Sequence, residues 1–66
     1  MHITLNGEAR ECAPGTSVTS LLESAGYAGK RVAVEVNLDI VPRSEHATHL
    51  LADGDKVEIV HAIGGG

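Results

Sequence analysis

The chain has 66 residues, enough for one small domain, and 42% of them are hydrophobic, which suits a packed globule rather than a disordered chain. A domain of this size buries only roughly 60% of the surface its unfolded form exposes, so little material remains for a deep catalytic cleft. Five basic against nine acidic residues give a net charge of −4, a poor surface for phosphate backbones and a better one for basic protein partners. A carrier, binding module or subunit is therefore favoured over a self-contained enzyme.

Ile3 and Leu5 alternate with His2, Thr4 and Asn6, which is strand periodicity. Asn6-Gly7 follows at once and signals a hairpin, because both central positions of such a turn want positive φ. Glu8 to Cys12 is then the returning strand. Pro14-Gly15 breaks the chain, and Thr16 and Ser17 offer N-cap oxygens. Val18, Leu21, Leu22 and Ala25 fall on one face of a short helix that Gly26 stops in a left-handed C-cap. Val32, Val34 and Val36 alternate with Ala33, Glu35 and Asn37, giving a third strand over residues 31–37. Ile40-Val41 is a short extended piece that Pro42 confines to an edge. Residues 44–51 are irregular or one helical turn, anchored by Leu50 and Leu51. Asp53-Gly54-Asp55 makes a turn. The last strand runs over residues 56–63, with Val57 and Ile59 inward and Lys56 and Glu58 outward. A hairpin followed by a helix that crosses one face of a sheet is a two-layer α+β domain. The whole chain, residues 1–66, is expected to be that one domain, with residues 63–66 as an extended, flexible tail.

The lone cysteine, Cys12, excludes an internal disulfide and fits a reducing compartment. No apolar run approaches the ~20 residues of a membrane span. The first ten residues lack the basic and then apolar order of a signal peptide. A cytoplasmic protein is expected, with neither membrane nor nucleic acid as partner.

The feature richest in chemistry is Gly64-Gly65-Gly66 after a strand. Glycines frequently mark a frayed end. They also let an extended segment thread a narrow tunnel, since no side chain widens it. A terminal carboxylate can be activated as an acyl-adenylate, an electrophile for sulfur or nitrogen. Beside it the outward face of the last strand turns apolar at Val60 and Ala62, with Ile63 adjoining. One helix covers only one face of a sheet, so Val60, Ala62 and Ile63 are expected on an open docking face.

The remaining candidates point to structure. Cys12 is read as a small core hydrophobe. His2, His46, His49 and His61 are read as surface histidines, because only His46 and His49 have ligand spacing and zinc needs three or four protein ligands. No phosphate-binding glycine loop and no Ser-His-Asp set can be assembled. Lys30-Arg31 and Arg43 are solvated charges or docking contacts.

The stretches ITLNG (3–7), SVTSLLE (17–23), VAVEVN (32–37), IVPR (40–43) and DGDKVEIVHAIGGG (53–66) run in order along the chain. In this order and length they resemble the sulfur carrier proteins of thiamine biosynthesis, a ubiquitin-like β-grasp family. One departure is His46, where many relatives carry an aromatic residue, usually Trp. Gly64 is a smaller variation beside the intact Gly65-Gly66 pair.

The resemblance implies a mixed sheet of four to five strands packed on one short helix. It implies a protein cosubstrate rather than an enzyme, with no bound cofactor. An E1-like adenylating partner would use ATP and Mg to adenylate the Gly66 carboxylate. Sulfur from cysteine, delivered as a persulfide by a system such as a cysteine desulfurase, would replace AMP and leave a thiocarboxylate. Thiazole synthase would take that sulfur into thiazole phosphate. Gly66 would carry the acyl group and the sulfur; Gly65 and Gly64 would give the slim approach. The alternatives are the small subunit of molybdopterin synthase, a protein modifier that forms isopeptide bonds, and a β-grasp binding module of RNA-associated proteins, which the acidic charge disfavours.

Overall fold

Seven local elements form along residues 1–61, the part of the chain that the computed structural model describes. They are β1 (His2–Leu5), β2 (Glu8–Glu11), α1 (Val18–Ser24), β3 (Val32–Val36), β4 (Asp39–Val41), a 3₁₀ turn (Arg43–Glu45) and β5 (Lys56–His61). The strands make one mixed sheet in the order β2-β1-β5-β3-β4. The last strand inserts at the centre, parallel to β1 and antiparallel to β3. The last strand thus returns to pair beside the first. The expectations for Ala62, Ile63, Gly64, Gly65 and Gly66 lie outside the described residues.

The elements form for local reasons. Asn6 and Gly7 turn β1 into β2 with φ of 50° and 84°, the positive values such a tight hairpin needs. Ser17 caps α1 by accepting from the Ser20 N–H at 3.0 Å. The helix ends in a Schellman motif: Gly26, with φ +89°, donates to Glu23 O and Tyr27 donates to Leu22 O. The core is the set that periodicity selects. Ile3, Leu5, Val34, Val36, Val57 and Ile59 from the sheet meet Val18, Leu21 and Leu22 from the helix. Cys12 is half-buried and packs against this cluster, with no bridge to any partner.

Three expectations need correction. The strands are shorter than read: β2 ends at Glu11 and β3 covers only Val32–Val36. Cys12 keeps one ladder-like bond, from its N–H to Met1 O, but its neighbour Ala13 has already turned away. Leu50 is not an anchor; it is exposed, and Leu51 alone enters the core. Adjacent residues of an extended chain face opposite ways, so only one of the pair can be buried.

His46 is not a surface histidine. It is 7% exposed, and its Nε2 lies 3.0 Å from Val41 O. A carbonyl only accepts, so Nε2 carries the hydrogen that bonds it. His46 therefore fills an interior position. The segment around it has a definite role. His46 O and His49 O accept from the Thr19 and Val18 N–H groups, and Thr16 O accepts from Leu51 N–H. Irregular backbone thus satisfies the orphan amides at the helix start and ties the helix to the sheet.

Candidate functional site

The described part of the site is the far end of β5 and the sheet face opposite the helix. Val57 and Ile59 point into the core, so Glu58 and Val60 point outward by the two-residue period. Val60 is 60% exposed, so its expected outward orientation is met. It sits directly opposite Ala33 of β3. Ile40 of β4 adds a second large apolar side chain to this face and is 72% exposed. Sequence reasoning did not single out Ile40. The signal was available, because Val41 facing inward forces Ile40 outward. Asn6, Ala33, Glu35, Ile40, Glu58 and Val60 line a shallow depression of about 450 Å³ there.

Charge on this face is arranged against stability. Glu35 and Glu58 are directly opposite each other across β3 and β5. Like charges in such a pair destabilise a sheet. A partner bearing a Lys or Arg relieves that repulsion, so the acidic pair between Ile40 and Val60 can orient a basic, partly apolar surface.

Two asparagines hold β5 in register. β1 pairs only with Lys56 and Val57 before it turns away. Beyond it, Asn6 Oδ1 accepts from the Ile59 N–H at 2.8 Å and carries the ladder one step further. On the other side Asn37 Oδ1 accepts from Lys56 N–H at 3.0 Å, while Asn37 Nδ2 donates to the buried Asp55 carboxylate at 2.9 Å. Both were read from the sequence only as turn or strand residues. After Ile59 no strand flanks this edge of β5 among the described residues, so backbone groups there can pair with an incoming extended segment. The base of this end is marked by Tyr27, whose ring lies 6.0 Å from that of His61, tilted by 50°.

The sequence-predicted docking set is thus divided. Val60 is placed on the open face; Ala62 and Ile63 lie outside the described residues, as do the reactive and tail positions Gly66, Gly65 and Gly64. Among the described residues no group of three or more His, Cys, Asp or Glu could hold a metal ion. No helix there is long and apolar enough to cross a membrane.

A sequence model described as the ThiS family matches residues 3–66. This chain belongs to the ThiS family. Over its whole length it is 38% identical to the sulfur carrier protein ThiS of Escherichia coli, with both chains fully covered. It is 47% identical over 66 residues to a thiazole synthase of Paramagnetospirillum magneticum. A second thiazole synthase, from Magnetococcus marinus, is 42% identical. The chain spans about a fifth of the length of either. The crystal structure of the thiamine biosynthesis protein ThiS from Geobacter metallireducens matches with a TM-score of 0.86, at 33% identity and with full coverage of both chains. The ThiS fold is thus the expected ubiquitin-like β-grasp, with all five strands present.

Proposed function

We propose that the chain is a sulfur carrier of thiamine biosynthesis, acting as a protein cosubstrate. The observation that carries this reading is the end-to-end correspondence with the Escherichia coli carrier, within a family match that extends through the glycine segment. What supports it in the structure is a packed core, an exposed apolar face at Ile40 and Val60, and a central strand that is followed in sequence by Ala62 to Gly66.

The chemistry proceeds in balanced steps. An oxygen of the Gly66 carboxylate attacks the α-phosphorus of Mg-bound ATP in the adenylating partner, and pyrophosphate leaves. A persulfide from a cysteine desulfurase system attacks the acyl carbon and expels AMP. A second thiol then attacks the sulfur attached to the donor, which leaves as a mixed disulfide, and Gly66 keeps a thiocarboxylate. Thiazole synthase accepts that sulfur, and an oxygen from the sulfur-accepting substrate or from water takes its place at the acyl carbon, which restores the carboxylate. No cofactor resides on the carrier in this scheme. The names of the thiazole synthase relatives support that enzyme as the acceptor, and with it the thiazole product over molybdopterin.

The test is intact mass with C-terminal peptide mapping after incubation with Mg-ATP, adenylating partner, desulfurase and cysteine. The expected result is ATP-dependent exchange of one oxygen for one sulfur at Gly66. Deleting Gly66 abolishes the exchange and leaves the melting curve unchanged. A deleted chain that still accepts sulfur would refute the assignment. The mass of the protein isolated from its source must also end at Gly66, because an amide there cannot be adenylated in this way.

A further inference from the structure

Three of the five basic residues, Lys30, Arg31 and Arg43, line one surface pocket of about 220 Å³. They are brought together from two places, the loop after α1 and the 3₁₀ turn after β4. In a chain of net charge −4 this is a local reversal of sign. Glu23 is the one carboxylate in the lining, so the pocket keeps a positive excess. Among the described residues none of the three cations forms an ion pair; the one ion pair joins His2 and Glu11 elsewhere. The floor is apolar, made by Leu22, Tyr27 and Val32, with buried His46 beside it.

Position ties this pocket to the carrier's working end. Val32 pairs directly with His61, the last described residue before the glycine segment. The Tyr27 ring also stands against His61. A protein that receives that segment therefore passes over or beside the pocket. The cations are exposed, which suits side chains arriving from another protein. A bare small oxyanion calls for buried donors, and the apolar floor offers it nothing.

We propose that this pocket recognises an acidic, partly apolar segment of the protein that engages the glycine segment. Carboxylates of that segment pair with Lys30, Arg31 and Arg43, and a neighbouring aliphatic side chain covers Leu22, Tyr27 and Val32. The partner's identity rests on the carrier reading above; the chemistry of the pocket does not.

Two measurements test it. In the first, the ¹⁵N-labelled chain is titrated at low ionic strength with an acetylated peptide of alternating Glu and Leu, and with its Gln-for-Glu counterpart. Amide shifts are expected at Leu22, Tyr27, Val32 and His46 with the Glu peptide. They should be absent with the Gln peptide and in the triple variant K30Q/R31Q/R43Q. Equal shifts with inorganic phosphate alone, or no shifts at these residues, would overturn the proposal. In the second, ATP-dependent loading by the adenylating partner is followed against carrier concentration. The triple variant is expected to raise KM on the order of tenfold with kcat unchanged, as three rim ion pairs are lost. Lys56→Gln, at the other end of β5, should leave KM within about twofold on the scale of one exposed charge. An unchanged KM in the triple variant, or an equal rise in Lys56→Gln, refutes the pocket. If the wild-type chain is not loaded at all, the carrier reading fails, while the peptide titration still decides the pocket.

Discussion

Replacing Val60 by Glu separates the contribution of β5 to stability from the docking role proposed for it. Val60 is 60% exposed, so about two-fifths of its surface is covered by the fold. Full burial of a valine contributes about 1.5–3 kcal/mol, which puts the share of Val60 in stability at roughly 1 kcal/mol. For a domain of this length that is a fall in Tm of about 4–8 °C, with a cooperative transition intact. The uncovered three-fifths is what a partner can bury, worth roughly 1–2 kcal/mol, or about 5- to 30-fold in Kd. The new carboxylate would also stand on the same face as Glu35 and Glu58 and arrive at the interface without a designated partner. Calorimetric melting and titration against the adenylating partner read the two effects separately. Loss of the cooperative melt would make Val60 a core residue. An unchanged Kd would show that the open face is not where the partner sits.

Other substitutions test the frame beneath that face. Leu38 has φ +73° in the turn before β4 and is 84% exposed, so Leu38→Gly should relieve about 1 kcal/mol of left-handed strain and raise Tm by several degrees; a lower Tm would contradict this. Asn6→Ala removes the acceptor for Ile59 N–H and places alanine at φ 50°, at a cost of about 2–4 kcal/mol by urea unfolding. A loss under half a kilocalorie per mole would mean that the side chain does not extend the ladder. His46→Ala should cost about 2–4 kcal/mol through the cavity it leaves, and His46→Phe less, since the larger ring opens no cavity and one hydrogen bond to Val41 O is lost. The reverse order would show that the hydrogen bond outweighs the volume.

The helix and the strand cores were legible because burial there follows a single period. Val18, Leu21 and Leu22 share one helical stripe, and Val34, Val36, Val57 and Ile59 keep strict alternation. The Asn6-Gly7 hairpin was legible because a tight turn has few chemical solutions. The turn at Asn37 and Leu38 was not, because leucine carries no turn signal and its positive φ is imposed by the pairing of β3 with β4. His46 was misread for a related reason. Its burial comes from where the irregular segment crosses the start of α1, a tertiary fact without periodicity. At the site, Val60 followed from alternation, whereas the meeting of Lys30 and Arg31 with Arg43 needed the fold.

The features that cost stability share a direction. A core this thin would be better served by a neutral residue at Glu35 or Glu58, by glycine at Leu38 and by a polar side chain at Ile40. Each of these residues does nothing for the fold that a simpler one would not do, and Leu38, Ile40 and Glu58 face solvent. By contrast, the residues that fix β5, namely Asn6, Asn37 and Asp55, leave no buried side-chain polar atom without a partner among the described residues. Order is thus concentrated on the strand that leads into the glycine segment, and disfavoured surface chemistry on the faces around it. An enzyme of this size would need to spend its few buried polar groups on a cleft. Here the buried polar side chains serve the frame instead: Asp55 anchors the start of β5 through Asn37 and Ala52, and His46 holds Val41 of β4.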